Sequence, residues 1–366
     1  MKKLITLLVV GTGACVAVQA QTYTPIDLRL FNDGIHHWYL EHPVRTYETL
    51  KPEQIDLIGN HLVAYQNQDG GWPKNIDFLA IIDIDSVKRV YHRPTSTFDN
   101  RNIYAQAVYL SEVYKQVPDE KYKQSVIRAI EYILREQRPS GGWRGWDVDA
   151  ITYNDDVMTG LMELLTTVEQ GESPFEWTDA DLRRRAREAR DRALDVTLRC
   201  QIVVDGAKTG WCQQHDHTTL EAIGARSFEL ASLSPPETAD ILDYLMTIKN
   251  PDRRVIEAVT AAAAWLERSK IYGMRVERVS IPPEEATNHE YPYDLVVVED
   301  PAARPIWARF CEIGTNRPFM CNRDGIKVYK LSDVVPERRV GYSWYNYSPQ
   351  KTLDRYAVWK QVVAAE

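Results

Sequence analysis

Cysteine is scarce in this 366-residue chain, with five in all, Cys15, Cys200, Cys212, Cys311 and Cys321. Their spacing fits neither a zinc ribbon nor a disulfide-dense scaffold. Beyond the first twenty residues no apolar run is long enough to span a bilayer. Positive charge is also in deficit: 44 Lys and Arg against 52 Asp and Glu give a formal net charge of -8. That balance argues against general nucleic-acid binding. No flexible linker divides the chain, which is read as a single domain over 21–366.

The excluded first twenty residues have their own pattern. Met1-Lys2-Lys3 is followed by an almost unbroken apolar or small stretch to Val18, and Val18-Gln19-Ala20 fits a small-x-small cleavage site. Residues 1–20 are therefore expected to be a secretory signal peptide, with a secreted or periplasmic destination. Thr12, where a lipoprotein signal wants an aliphatic residue, argues against an anchor at Cys15. Loss of the segment removes two lysines and moves the net charge from -8 to -10. An acidic chain can still take an acidic substrate, because a bound cation inverts the sign of a cleft. The four remaining cysteines read as buried thiols or as one or two staples in a compartment that permits disulfides.

Helical periodicity fills the first 270 residues. Apolar positions at 3.6-residue spacing predict helices over 52–66, 97–115, 122–137, 154–168, 178–199, 218–230, 236–246 and 252–268. Thr218 and Glu221 read as a capping box for one of them. The arginine-rich run 183–192 keeps Leu182, Ala186, Ala189 and Ala193 on one face, so its charges form a solvated outer face. A repeat is superimposed on this pattern: Gln66 to Trp72, Gln137 to Trp143 and Gln201 to Trp211 each end a helix with glycine and tryptophan. The tryptophans lie 71 and 68 residues apart. Units of this length must stack on their neighbours to bury their apolar faces. The expected fold is all-α dominated, an (α/α)3 toroid of helical hairpins. From about Tyr272 an irregular C-terminal region with a few short strands is expected to fold back over it.

Chemistry-bearing residues cluster in four stretches. Asp99 and Asp155-Asp156 each stand just ahead of a predicted helix, where an N-cap is the plain reading. In corresponding hairpins they would also converge at one end of a toroid, as oxygen ligands for a hard cation or as a glycosidase carboxylate pair. His215 and His217 offer only a weak metal pattern. Arg226, among Ala, Gly and Phe, must be paired or must face an anion-binding cleft. The loop carrying Arg317 and Arg323 suits carboxylate or phosphate recognition.

Taken together these stretches resemble polysaccharide lyase family 10, the α/α-toroid pectate lyases. The likeness runs from about Tyr47 to the C-terminus. Its strongest parts are Gln68 to Asn75, Trp211 to Ser234, Glu312 to Pro318 with Arg323-Asp324-Gly325, and Glu337 to Tyr345. The resemblance implies a calcium-dependent lyase that cleaves polygalacturonate by β-elimination. Asp99 and Asp155 match the family's metal-site aspartates, and Arg226 matches its catalytic base. Arg317 lies at the substrate-binding arginine with Arg323 close by, and Trp344 and Tyr345 are expected to contact substrate. The chain departs from the family at Arg101-Asn102-Ile103, where Gly-Ala-Thr is usual, beside the metal site. A monomer is expected. The alternatives are a glycoside hydrolase using Asp99 with Asp155 or Asp156, and a pectin-binding protein without catalysis that stacks sugars on Trp344 and Tyr345.

Overall fold

The computed structural model describes residues 23–85, 87, 95–282, 284, 286 and 292–364. The expected signal peptide and Cys15 lie outside the described residues. No helix among the described residues is long and apolar enough to cross a membrane.

Three antiparallel hairpins form the body, α3 (Tyr104–Gln116) with α4 (Glu120–Glu136), α5 (Val157–Gln170) with α6 (Ala180–Arg199), and α7 (Pro235–Leu245) with α8 (Arg253–Arg268). Two helices precede them, α1 (Asn32–Glu41) and α2 (Ile55–Tyr65), and α2 packs on the first hairpin. Helix α5 is buried on nearly all sides, and its Gly160 admits the Tyr104 ring; a Cβ there would stand 2.4 Å from that ring. Helix α6 buries the Leu182, Ala186, Ala189 and Ala193 stripe, continued by Val196, Thr197 and Leu198, and pairs Arg184 in solvent, as its sequence pattern requires. The odd-numbered helices of the three hairpins thus line the ring and the even-numbered ones cover it. All three inner helices begin at the same end.

The repeated turn holds that end together. Each indole N–H donates to a carbonyl in the last turn of the preceding helix, Trp72 to Leu62 at 2.7 Å, Trp143 to Ile133 at 2.8 Å and Trp211 to Thr197 at 2.7 Å. Carbonyls in that turn lack helical partners. A fourth copy, Trp307 to Leu266 at 2.8 Å, closes α8 and has no Gly-Trp signature in the sequence. The glutamine of each turn donates both to its own loop and to the next outer helix: Gln66 to Gly70 and Ser125, Gln137 to Gly141 and Ala189, Gln201 to Thr209 and Ala258. Gly70 (φ +98°) and Gly141 (φ +99°) are required there, since a Cβ would stand 2.3 and 2.5 Å from the carbonyl oxygens of Arg128 and Arg192.

Two expectations change. Residues 218–230 are not a helix. Asp216 accepts from the N–H groups of Thr218 and Thr219 at 2.7 Å, Leu220 turns at φ +61°, and the chain enters a strand. Three short strands, β1 (Ile151–Thr152), β4 (Gln214–His215) and β5 (Ala222–Ile223), then pair antiparallel in the order β1-β4-β5 and tie the second and third turns together. Strands β2 (Val203–Val204) and β3 (Ala207–Lys208) are the small insertion in the third turn.

The C-terminal region does contain short strands, β8 (Trp307–Ala308), β9 (Phe310–Cys311), β10 (Pro318–Cys321), β11 (Lys327–Val328) and β12 (Tyr345–Asn346). It also holds a regular hairpin, β6 (Met274–Ser280) with β7 (Tyr293–Glu299). The unanticipated helix α9 (Ser348–Val363) lies against α7 and α8. Cys200, Cys212, Cys311 and Cys321 are all buried free thiols.

Candidate active site

The loops at the N-terminal ends of the inner helices carry the backbone strain of the molecule. Of ten non-glycine residues with positive φ among the described residues, six are Asn75, Asn100, Arg101, Ile103, Asp155 and Asp156. Each such residue costs about 1 kcal/mol or more and persists only where its surroundings over-determine it. Here they do. Asn102 Nδ2 donates to the carbonyls of Trp72 (2.6 Å) and Thr97 (2.9 Å), the Gln106 side chain spans Ile103 N and Asn102 Oδ1, and Asn100 Nδ2 donates to Asn75 Oδ1 at 2.6 Å. Helix α3 therefore starts at Tyr104, several residues later than its periodicity suggests.

Neither aspartate is an N-cap. Asp99 is buried and its carboxylate receives the Lys74 ammonium. Asp155 accepts from Asn154 Nδ2 at 2.7 Å, and Asp156 heads α5 without a capping bond from its side chain. Burial first, and then the charge of Asp99, push the Asp155 carboxyl up to about 8, while Arg309 pulls it down. Asp155 thus feels the charge of Asp99, but Asp99 does not line the cleft on which Asp155 opens. Asp155 and Asp156 open on a cleft of about 450 Å³ whose other acids are Asp33, Glu237 and Asp240. Burial and then Asp156 push Asp240 up to about 8 as well. Among the described residues no three His, Cys, Asp or Glu side chains stand close enough to hold a metal ion by themselves.

Two cations answer this acidity. Arg101, in place of the family's glycine, pairs with Asp156 at 2.7 Å and stays half exposed on the cleft wall. Arg309 is the residue that the sequence reading missed. It donates to Asn154 Oδ1 at 2.9 Å and Glu237 Oε1 at 3.2 Å, lies 4.5 Å over the Tyr342 ring, and leaves its buried Nε without a partner. Its signal was an arginine between Trp307-Ala308 and Phe310, the same apolar setting that singled out Arg226.

Arg226 stands in the turn after β5, and its side chain is 42% exposed. It donates to the buried Glu229 carboxylate from Nε (2.8 Å) and from a terminal nitrogen (2.5 Å), and Asp147 is 3.7 Å away. Burial alone would lower its pKa; the Glu229 pair outweighs burial and holds the guanidinium above its ordinary value. Among the described residues no ion pair joins Arg226 to Asp99 or Asp155. The connection runs through Glu229, which accepts from Tyr342 at 2.8 Å, beneath Arg309. Three guanidinium groups, those of Arg226, Arg323 and Arg338, gather within 5.3 Å of the Phe228 ring.

The remaining expected site residues divide. Arg323 stands beside Arg226, with its carbonyl accepting from Ser227 Oγ at 2.6 Å and its guanidinium paired to Glu337. Arg317 stacks 3.4 Å over Tyr329, away from that group, in a loop whose Asn316 accepts from Trp265. Trp344 cannot be a stacking platform. It is 2% exposed, packed against Phe310 and Tyr342, with its N–H donated to the Arg338 carbonyl. Tyr345 pairs with Ala308 in β12 and lines a separate cavity beside β7. His215 is structural: Cys212 N–H donates to Nε2 at 3.1 Å and Nδ1 is 2.9 Å from the Leu220 carbonyl, so neither nitrogen is left for a metal.

A family model described as pectic acid lyase matches residues 66–353. Among solved structures, the chain is similar to a family 10 polysaccharide lyase from Cellvibrio cellulosa, at 28% identity over 81% of this chain and 90% of that one, with a TM-score of 0.68. It is equally similar to a mutant family 10 lyase from the same organism in complex with trigalacturonic acid, at 27% identity, the same coverage and a TM-score of 0.68. No curated protein matches.

Proposed function

The chain belongs to the pectic acid lyase family and is a polysaccharide lyase; we propose that it cleaves polygalacturonate by calcium-dependent β-elimination, with Arg226 as the base. The observation that carries the metal reading is Asp155. Burial and the charge of Asp99 push this carboxyl up to about 8, so a bound cation would stabilise its charged form, with Lys74 releasing Asp99 to it. Two carboxylates suit calcium, which prefers oxygen ligands, and carboxylates of the polymer itself would complete the coordination that two side chains cannot. When bound, the calcium supplies positive charge against the substrate carboxylate, where negative charge grows as the C5 proton leaves.

The protein's own groups do the rest. Arg309, fixed by Asn154 and Glu237, adds a second buried cation at the same point. Arg323, near Arg226, binds a carboxylate of the chain. Arg226 accepts the C5 proton; that electron pair forms the C4–C5 double bond, the C4–O bond breaks, and the departing oxygen takes up a proton. A neutral guanidine is needed for this step. The crowding of Arg226, Arg323 and Arg338 around Phe228 favours it, and Glu229 opposes it. The base forms when the Glu229 bonds loosen on substrate binding.

Polygalacturonate incubated with the protein should yield ultraviolet-absorbing unsaturated products that vanish with a chelator and return with calcium. Reducing ends without that absorbance would mean hydrolysis by paired aspartates. Retention on the polymer with neither product would mean a binding protein.

A further inference from the structure

The loop that carries Asp99 has a cleft on each side. Arg101 faces the acidic one. Thr97 and Phe98, directly before Asp99, wall a second cleft of about 400 Å³, completed by Tyr132, Arg138, Arg144 and Trp146. This cleft stands close to Asp99, because the Lys74 ammonium that pairs with Asp99 also lies 4.8 Å from the centre of the Trp146 ring.

The second cleft is less acidic, lined by two carboxylates and two arginines. Its two acids are already engaged: Asp69 accepts from Ser96 Oγ at 2.7 Å and from Gly71 N at 3.0 Å, and Glu136 pairs with Arg135 at 3.3 Å. Arg138 shares its charge with the exposed Asp149. Arg144 has no carboxylate at ion-pair distance among the described residues. Its hydrogen bonds go only to the carbonyls of Gly145 (3.3 Å) and Trp146 (3.1 Å), which orient the guanidinium without neutralising it. A half-buried guanidinium with only backbone acceptors is set up for an anion. The half-buried indole of Trp146 in the same cleft suits the apolar C–H face of a sugar ring.

Resting on the reading of the chain as a polygalacturonate lyase, we propose that this second cleft is a further subsite of the polymer-binding groove, in which Arg144 takes the carboxylate of a galacturonate unit just beyond those at the cleaved bond and Trp146 takes that sugar's ring face. It gives a chain of net charge -8 one guanidinium with no carboxylate partner along the path of a polyanion.

The test separates that further unit from the reacting ones. Arg144→Ala should raise KM on long polygalacturonate about tenfold at unchanged kcat, and move KM on trigalacturonate less than twofold. Equal losses on both substrates, or on neither, overturn the proposal. Migration in a native gel cast with polygalacturonate reads binding without turnover. Retardation should weaken in Arg144→Ala and in Trp146→Ala, and be largely restored in Arg144→Lys, which keeps the charge. A lysine variant as weak as the alanine variant assigns the loss to packing and overturns the subsite. If the wild-type protein makes no unsaturated product, the functional reading falls, and the gel still decides whether Arg144 binds the polyanion.

Discussion

Helix α6 and the mouth of the ring are built from the same charged residue types and use them in opposite ways. On α6, Arg184 bridges Asp181 and Glu188 at 2.7 Å in open solvent, and each charge can be lost with little effect on its neighbours. At the mouth, Asp155, Asp156, Asp240, Arg101 and Arg309 are crowded and partly desolvated on a strained backbone, and two of the carboxyls are pushed up to about 8. Charge on the rim of the fold is a solubility feature, whereas charge at its mouth is held in a state that only a ligand relieves.

The contrast can be broken by substitution. The largest effect is expected from Arg226→Ala, which should cut kcat at least about a thousandfold while retention on polygalacturonate persists; retained turnover would reject Arg226 as the base. Next comes His215, beneath the mouth, which burial lowers to about 4 from 6.5. The unfolded chain takes up a proton near pH 6.5 and the folded chain does not until about 4, so stability should fall as pH drops through that window, by up to about 3 kcal/mol. His215→Gln should flatten this part of the curve of thermal midpoint against pH.

A smaller change is expected at Glu229. Glu229→Gln removes the carboxylate that holds Arg226 protonated, so the acidic limb of the pH–rate profile should move down by about one pH unit; an upward shift or none contradicts the base assignment. Arg101→Gly restores the usual family residue and frees Asp156, so the calcium concentration for half-maximal rate should fall about two- to fivefold. The smallest effect belongs to the outer face. Arg184→Ala should leave stability within about 0.5 kcal/mol of wild type in denaturant titration, and a larger loss would erase the distinction drawn between the two surfaces.

What the sequence disclosed follows the same division. Hairpins were legible because burial imposes a period of 3.6 and because Gly70 and Gly141 mark turns that admit no side chain. Trp307 does the same work as the three earlier tryptophans but follows a strand-forming segment, so no repeat announced it. At the site, Asp99, Asp155 and Arg226 stood out through the likeness of their surroundings to a known family. Arg309 and Asp33 did not, since their roles exist only once β8, β9 and α1 are folded against the mouth. Trp344 misled for the opposite reason: density of aromatics does not tell an interior ring from an exposed one. The capping box at Thr218 failed because Asp216, two residues earlier, claims the Thr218 N–H for a turn and the Glu221 N–H goes to Thr219 Oγ1.

The glutamine of each repeated turn spends its amide on the next outer helix as well as on its own loop. Loss of one such side chain would leave both hairpins intact and free the angle between them. Because inner-helix N-termini carry the catalytic loops, a rotation of a few degrees at one seam would change the spacing of charges at the mouth without touching any of them. The dimensions of the groove are thus written at its seams, and variants there would alter which lengths of polymer are accepted before they alter whether the protein folds.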